Sequence, residues 1–157
     1  MDLFSSDDNS SIITVYTDGG CHGNPGAGGW GAVLLDGKNE IELSGGEEMT
    51  TNNRMELTAA IEVLRYAKEH YPEHSIKVFI DSQYVKNGIT TWIKNWKAKG
   101  WKTADKKAVK NQDLWVVLDE LNGSLSVEWT WVKGHAGIKY NEVCDSLCQK
   151  EIALRSN

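Results

Sequence analysis

Four acids stand out by type and position. Asp18 follows the apolar run Ile12–Thr17, and Asp81 follows Ile76–Ile80. Each sits at or just past the end of a predicted core strand. If those strands are adjacent and parallel, both carboxylates emerge at the sheet edge where open α/β sheets place their ligand sites. Glu56 falls in the first turn of the helix predicted after Asn53, and Asp145 lies on the last predicted helix. Both can point back to that edge. Four carboxylates gathered there repel one another unless a cation neutralises them. Oxygen-only ligation suits magnesium or manganese better than zinc. Two such ions can clamp the attacking and leaving oxygens of a phosphodiester. Each acid also has a purely structural use: Asp18 in a turn with Gly19-Gly20, Glu56 in a capping box with Asn53, Asp81 as a helix cap, Asp145 as helix surface. Their joint placement favours the metal reading.

Two further features suit a nuclease. His135 stands between Gly134 and Ala136-Gly137, in a segment read as a flexible loop, and histidine titrates near neutral pH. Residues 86–110 hold eight lysines against one acid, Asp105, a local charge of +7 in a chain of net −5. Trp92, Trp96 and Trp101 alternate with these lysines, and Lys97, Ala98, Lys99, Gly100, Trp101 and Lys102 form the densest part. Lysines supply salt-sensitive phosphate contacts, and tryptophan faces can lie on sugars or bases. The competing reading is a solvated face anchored by tryptophans, and the i,i+4 spacing of Trp92 and Trp96 points to at least one anchor.

The elements that must position these groups follow from periodicity. The sequence predicts strands near 12–17, 30–35 and 40–46, with Asp36-Gly37 as a hairpin signal between the last two. Residues 19–29, with six glycines and Pro25, read as a loop. A helix starts at Thr50-Thr51-Asn52-Asn53, carries Leu57, Ile61 and Leu64 on one face, and ends before Pro72. A strand over 76–80 is followed by a helix from Ser82 that Gly88 interrupts, and by another near 91–97. A helix over 108–121 closes at Asn122-Gly123, a fifth strand covers 127–132, and a last helix covers 140–153. Three strands, a helix, a strand, helices, a strand and a helix describe an α/β domain with a mixed five-stranded sheet and helices on both faces.

The 157 residues fit one domain, read here as a disordered tail over 1–11 and a folded domain over 12–157. No apolar run is long enough to span a bilayer, and the polar, acidic start is no secretory signal. Cytoplasm is the expected compartment. Cys21, Cys144 and Cys148 give no disulfide framework and too few ligands for a structural zinc.

These pieces together resemble type 1 ribonuclease H, ribonuclease HI, in its bacterial form. The resemblance rests on residues 16–26 (YTDGGCHGNPG), 50–57 (TTNNRMEL), 81–85 (DSQYV), 95–103 (NWKAKGWKT) and 132–137 (VKGHAG), together with Asp145. It implies a ribonuclease H-like fold and endonucleolytic hydrolysis of the RNA strand of RNA–DNA hybrids, with 5′-phosphate and 3′-hydroxyl products. Asp18, Glu56, Asp81 and Asp145 match the family's metal-binding acids, which hold two Mg2+ ions, with Mn2+ as a substitute. His135 matches its mobile histidine. Cys21 and Thr51 fall where the family touches the DNA strand, and Thr51 belongs to its phosphate pocket. Asn24, Asn52 and Gln83 match residues that read the minor groove. Trp92 and Trp96 match positions near the DNA backbone, within a basic protrusion over about 82–101. RNA differs from DNA by its 2′-hydroxyl, a donor and acceptor that amide side chains can address. The chain departs from bacterial relatives over Ile138–Val143, where His-Pro and an Arg are common, and at Cys148, where alanine is common. A free-standing monomer that acts on RNA–DNA hybrids and meets no membrane is expected. A catalytically silent binding domain, a resolvase-like nuclease and a polymerase-attached ribonuclease H domain are the competing readings.

Overall fold

The computed structural model describes residues 12–133 and 138–156. Residues 1–11, read above as a tail, and 134–137, which include His135, lie outside the described residues. Five strands form one mixed sheet in the order β3-β2-β1-β4-β5. β1 (Ile12–His22), β2 (Gly26–Leu35) and β3 (Glu40–Thr50) make an antiparallel meander. β4 (Ser75–Ile80) and β5 (Ser126–Trp131) run parallel to β1 and arrive by helical crossovers. The predicted α/β class and mixed sheet are therefore what the chain forms.

Helix α1 (Asn52–His70) buries Met55, Leu57, Ile61 and Leu64 against one face of the sheet. Thr51 caps it, its Oγ1 accepting the Arg54 N–H at 3.2 Å. α4 (Gln112–Ser124) adds Trp115, Leu118 and Leu121 to the same core. α5 (Lys139–Arg155) packs on the other face, over β1 to β3. The pleat of β2 explains how one strand serves both layers: Trp30, Ala32 and Leu34 join the α1 core, while Gly29 and Gly31 point at α5.

The glycine-rich stretch 19–29 is a correction. It is strand on both sides of a tight turn, not a loop, because its glycines mark close backbone approach rather than disorder. A Cβ on Gly31 would lie 2.6 Å from the Cys144 carbonyl oxygen, so α5 rests directly on the β2 backbone. The hairpin at Asp36 is as expected. Its carboxylate accepts the Lys38 and Asn39 N–H groups and the Tyr71 hydroxyl, and the Tyr71 bond leads the causes holding its pKa far below the usual carboxylate range.

Gly88 does not break the helix that follows β4. α2 (Gln83–Asn87), a π-helical turn (Gly88–Trp92) and α3 (Ile93–Ala98) run on without a gap. Val85, Ile89 and Ile93 recur every four residues, which drifts around a regular α-helix. The wider π turn brings Ile93 back to the buried face. Gly88 is small because the Trp115 ring occupies the space of its missing Cβ. α4 starts at Gln112, later than predicted, since Lys102 pairs with Ala108 and Asn111 adopts a left-handed conformation. Asn122-Gly123 lies inside its last turn.

Candidate active site

β1 and β4 are in parallel register up to Thr17 beside Ile80. β4 stops there, while β1 continues alongside β2 with Asp18 opposite Gly31. Asp18 and Asp81 therefore stand side by side where the parallel ladder ends. Glu56 reaches them from α1. A Cβ on Gly19 would lie 2.5 Å from the Met55 carbonyl carbon, so glycine is what lets the first turns of α1 lie on β1. The ligand oxygens of Asp18, Glu56 and Asp81 all fall within 4.8 Å of one another. Asp145 sits on α5, outside that three-way group among the described residues, although its charge reaches Cys148 together with those of the other three acids.

The electrostatics of this corner are those of a site that wants positive charge. The Glu56 carboxyl is held well above the usual carboxylate range, first by burial, then by the Asp81 and Asp18 charges, against a backbone hydrogen bond from Gly19. Glu56 Oε1 is buried and has no hydrogen-bond partner. Three close carboxylates with an unsatisfied buried oxygen fit a hard divalent cation such as Mg2+ or Mn2+. The neighbouring thiols are poor alternatives. Burial, then Asp18, Asp145, Glu56 and Asp81, push Cys148 up to about 12, and Cys144 is raised too, again chiefly by burial. Both donate to strand carbonyls, Cys144 to Tyr16 at 3.3 Å and Cys148 to Gly29 at 3.2 Å. They are packing groups.

A second cluster flanks the acids. Cys21 N–H donates to Asn52 Oδ1 at 2.9 Å, and Asn52 N–H donates to Asn24 Oδ1 at 3.2 Å. The turn of the first hairpin is thus stitched to the start of α1, where Thr51 is the cap, and Cys21, Asn24, Thr51 and Asn52 come together. Gln83 is exposed as the first residue of α2, just past Asp81 and the capping Ser82. The lysine-rich arm is held by aromatic contacts. Trp96 meets Trp115 at 5.2 Å between ring centroids, and Trp101 and Trp92 flank Trp96 at 6.4 and 6.0 Å. Trp96 and Trp101 are partly buried against the core, so both serve as anchors, while Trp92 is 38% exposed. Lys97 is paired with Asp119 at 3.1 Å. Lys99 and Lys102 are exposed.

A family model described as RNase H matches residues 10–153. The chain belongs to the RNase H family, in its bacterial type 1 form. A Ribonuclease H from Ralstonia nicotianae is 57% identical over 142 residues, covering 90% of this chain and 92% of that protein. A Ribonuclease HI from Neisseria meningitidis serogroup B is 55% identical over 144 residues, covering 92% and 97%. Among solved structures, LC9-RNase H1, a type 1 RNase H with the type 2 active-site motif, superposes with a TM-score of 0.83 at 30% identity, covering 94% of this chain and 74% of that one.

Within this RNase H chain, two groups escaped sequence reasoning. Arg54 grips Asp113 with both terminal nitrogens, at 2.8 and 3.1 Å, and reaches Asn111 Oδ1 at 3.2 Å. Asn111 and Trp115 both donate to the Tyr84 hydroxyl at 3.1 Å. This network ties the start of α1 to the root of the basic arm. Arg54 adjoins the Asn52-Asn53 motif, but its partner lies 59 residues away, and no local pattern announces such a pair. The other is Trp131, whose indole touches the backbone of Asp81.

Proposed function

We propose that this chain is an endoribonuclease that hydrolyses the RNA strand of RNA–DNA hybrids with two divalent ions, leaving 5′-phosphate and 3′-hydroxyl ends. The observation that carries the reading is the Asp18, Glu56 and Asp81 cluster at the end of the parallel β1–β4 ladder, in a chain matched by the RNase H model over nearly all its length. When bound there, divalent ions supply an activated water and offset charge on the phosphate oxygens. Asp18, Glu56 and Asp81 hold that charge in place, with Asp145 as the outer member of the set. Gly19 orients Glu56 through its backbone.

The remaining roles follow the layout around this corner. Asn24, Asn52 and Gln83 face the RNA minor groove and test for the 2′-hydroxyl. Thr51 and Cys21 meet the DNA strand. Trp92 offers its open face to the DNA backbone, Trp96 and Trp101 seat the arm, and Lys97, Lys99 and Lys102 contact phosphates. His135 moves a proton or helps product leave. Little base preference is expected, since minor-groove patterns are degenerate.

The test is one hybrid with each strand separately labelled. With Mg2+ the protein should cut only the RNA strand, yield 5′-phosphate ends, and do nothing after chelation. Binding without cleavage would make it a silent binding domain, and equal cutting of DNA would place it in another nuclease class. Mn2+ should restore activity to chelated protein.

A further inference from the structure

Trp131 ends β5 beside Ile80, and its indole N–H donates to the Asp81 carbonyl oxygen at 3.1 Å. The flanking carbonyls are held by backbone groups: Val132 N–H donates to Ile80 O at 2.8 Å, and Lys86 N–H donates to Ser82 O at 3.1 Å. Ser82 Oγ also accepts the Val85 N–H at 3.1 Å. Three consecutive carbonyls in the turn that carries Asp81 are therefore fixed. The middle one, on Asp81 itself, is held by a side chain.

Burial does not explain the choice of tryptophan, because Trp131 remains 38% exposed. Its neighbour two residues back makes the contrast. Trp129 faces the same side of β5, is better buried, and donates its N–H to Asn122 Oδ1 at 2.9 Å, fastening α4. Trp131 directs its only donor to the backbone of an acid. A peptide pinned at both neighbours and at its own oxygen cannot rotate, so the Cα–Cβ direction of Asp81 is set before any ion arrives.

Resting on the reading of Asp81 as a metal ligand, we infer that Trp131 is a positioning residue, whose indole N–H aims the Asp81 carboxylate at Asp18 and Glu56. Nothing in its chemistry gives it contact with the reacting atoms. Its effect should appear in ion affinity and turnover and leave hybrid affinity alone.

The experiment compares wild type with Trp131→Phe and with a variant carrying benzothienylalanine at 131, which keeps the bicyclic ring and replaces the N–H by sulfur. Mg2+ affinity is read without substrate, from the rise in melting temperature on titration. In both variants it should fall about tenfold, the lower end for losing a group that orients a metal ligand. Turnover at subsaturating Mg2+ should fall by a similar factor, with KM for the hybrid within about twofold of wild type and excess Mg2+ restoring most of the rate. Unchanged Mg2+ affinity and kcat in the sulfur variant would overturn the inference, even if Trp131→Phe is unstable. A raised KM with normal ion affinity would also overturn it and make Trp131 a substrate contact. If wild type cuts no hybrid, the proposed activity fails, while the substrate-free Mg2+ titration still decides the role of Trp131.

Discussion

At the scale of single residues, the acids differ in how firmly they are built into the site. Asp81 emerges from the end of a stiff strand inside the three-way cluster, whereas Asp145 stands outside it on α5. Asp81→Asn keeps the shape and removes a charge, so the fold and hybrid binding should survive while cleavage falls at least about a thousandfold. Asp145→Asn should cost clearly less, and single-turnover rates of the two proteins at equal Mg2+ check the order. Glu56 predicts a pH signature. Its folded pKa is raised above its unfolded value, so the folded chain keeps the proton longer. Without ions, stability should therefore decline as pH rises from the ordinary carboxylate range through the raised folded value. Bound Mg2+ opposes that loss, and its stabilising effect should grow with pH. Melting curves in chelator and in Mg2+, followed upward in pH from the ordinary carboxylate range, should diverge for wild type. They should stay nearly parallel for Glu56→Gln.

At the scale of elements, close packing decides what sequence pattern leaves ambiguous. The succession of strands and helices along the chain was legible, because apolar runs and the Asp36 hairpin carry local signals. So was the pairing of Asp18 with Asp81, since both end such runs. The stretch 19–29 was not legible: a glycine at a backbone contact and a glycine in a loop look alike until the partner helix is in place. The same holds for Gly88, whose partner Trp115 comes from a distant helix. Composition left the arm's tryptophans open between base contacts and anchors, and the rings of Trp96 and Trp101 pack against neighbouring aromatics. The glycine contacts can be tested. Gly31→Ala would push a methyl group toward the α5 backbone and should destabilise the protein by about 1–3 kcal/mol, the usual range for overpacking. Urea denaturation checks this, and a cost below half a kcal/mol, roughly the level of a neutral surface change, would mean that α5 can lift away freely.

At the scale of the molecule, the charge is divided between an acidic corner and a basic arm, and the two should fail separately. Neutralising Lys97, Lys99 and Lys102 together should raise KM for the hybrid several-fold and change kcat little. Each lysine that meets a phosphate contributes roughly one unit to the salt dependence of binding. Lys97 must give up its pairing with Asp119 to meet a phosphate, so the slope should drop by between about two and three. Hybrid binding measured across a salt series separates those values, and an unchanged slope would reduce the arm to a solvated face.

The central place of β1 has a consequence for how the protein is made. β1 pairs locally with β2, but its other edge waits for β4, which lies far along the chain. At synthesis rates of roughly 5–20 residues per second, that edge stays open for about three to twelve seconds. Ile13 and Val15 lack their final cover throughout that interval. A nascent chain that has not yet reached Asp81 exposes an unpaired strand to chaperones and to other nascent chains. It also holds at most two of the four acids proposed to bind metal, and on that reading the set is complete only once Asp145 has been made.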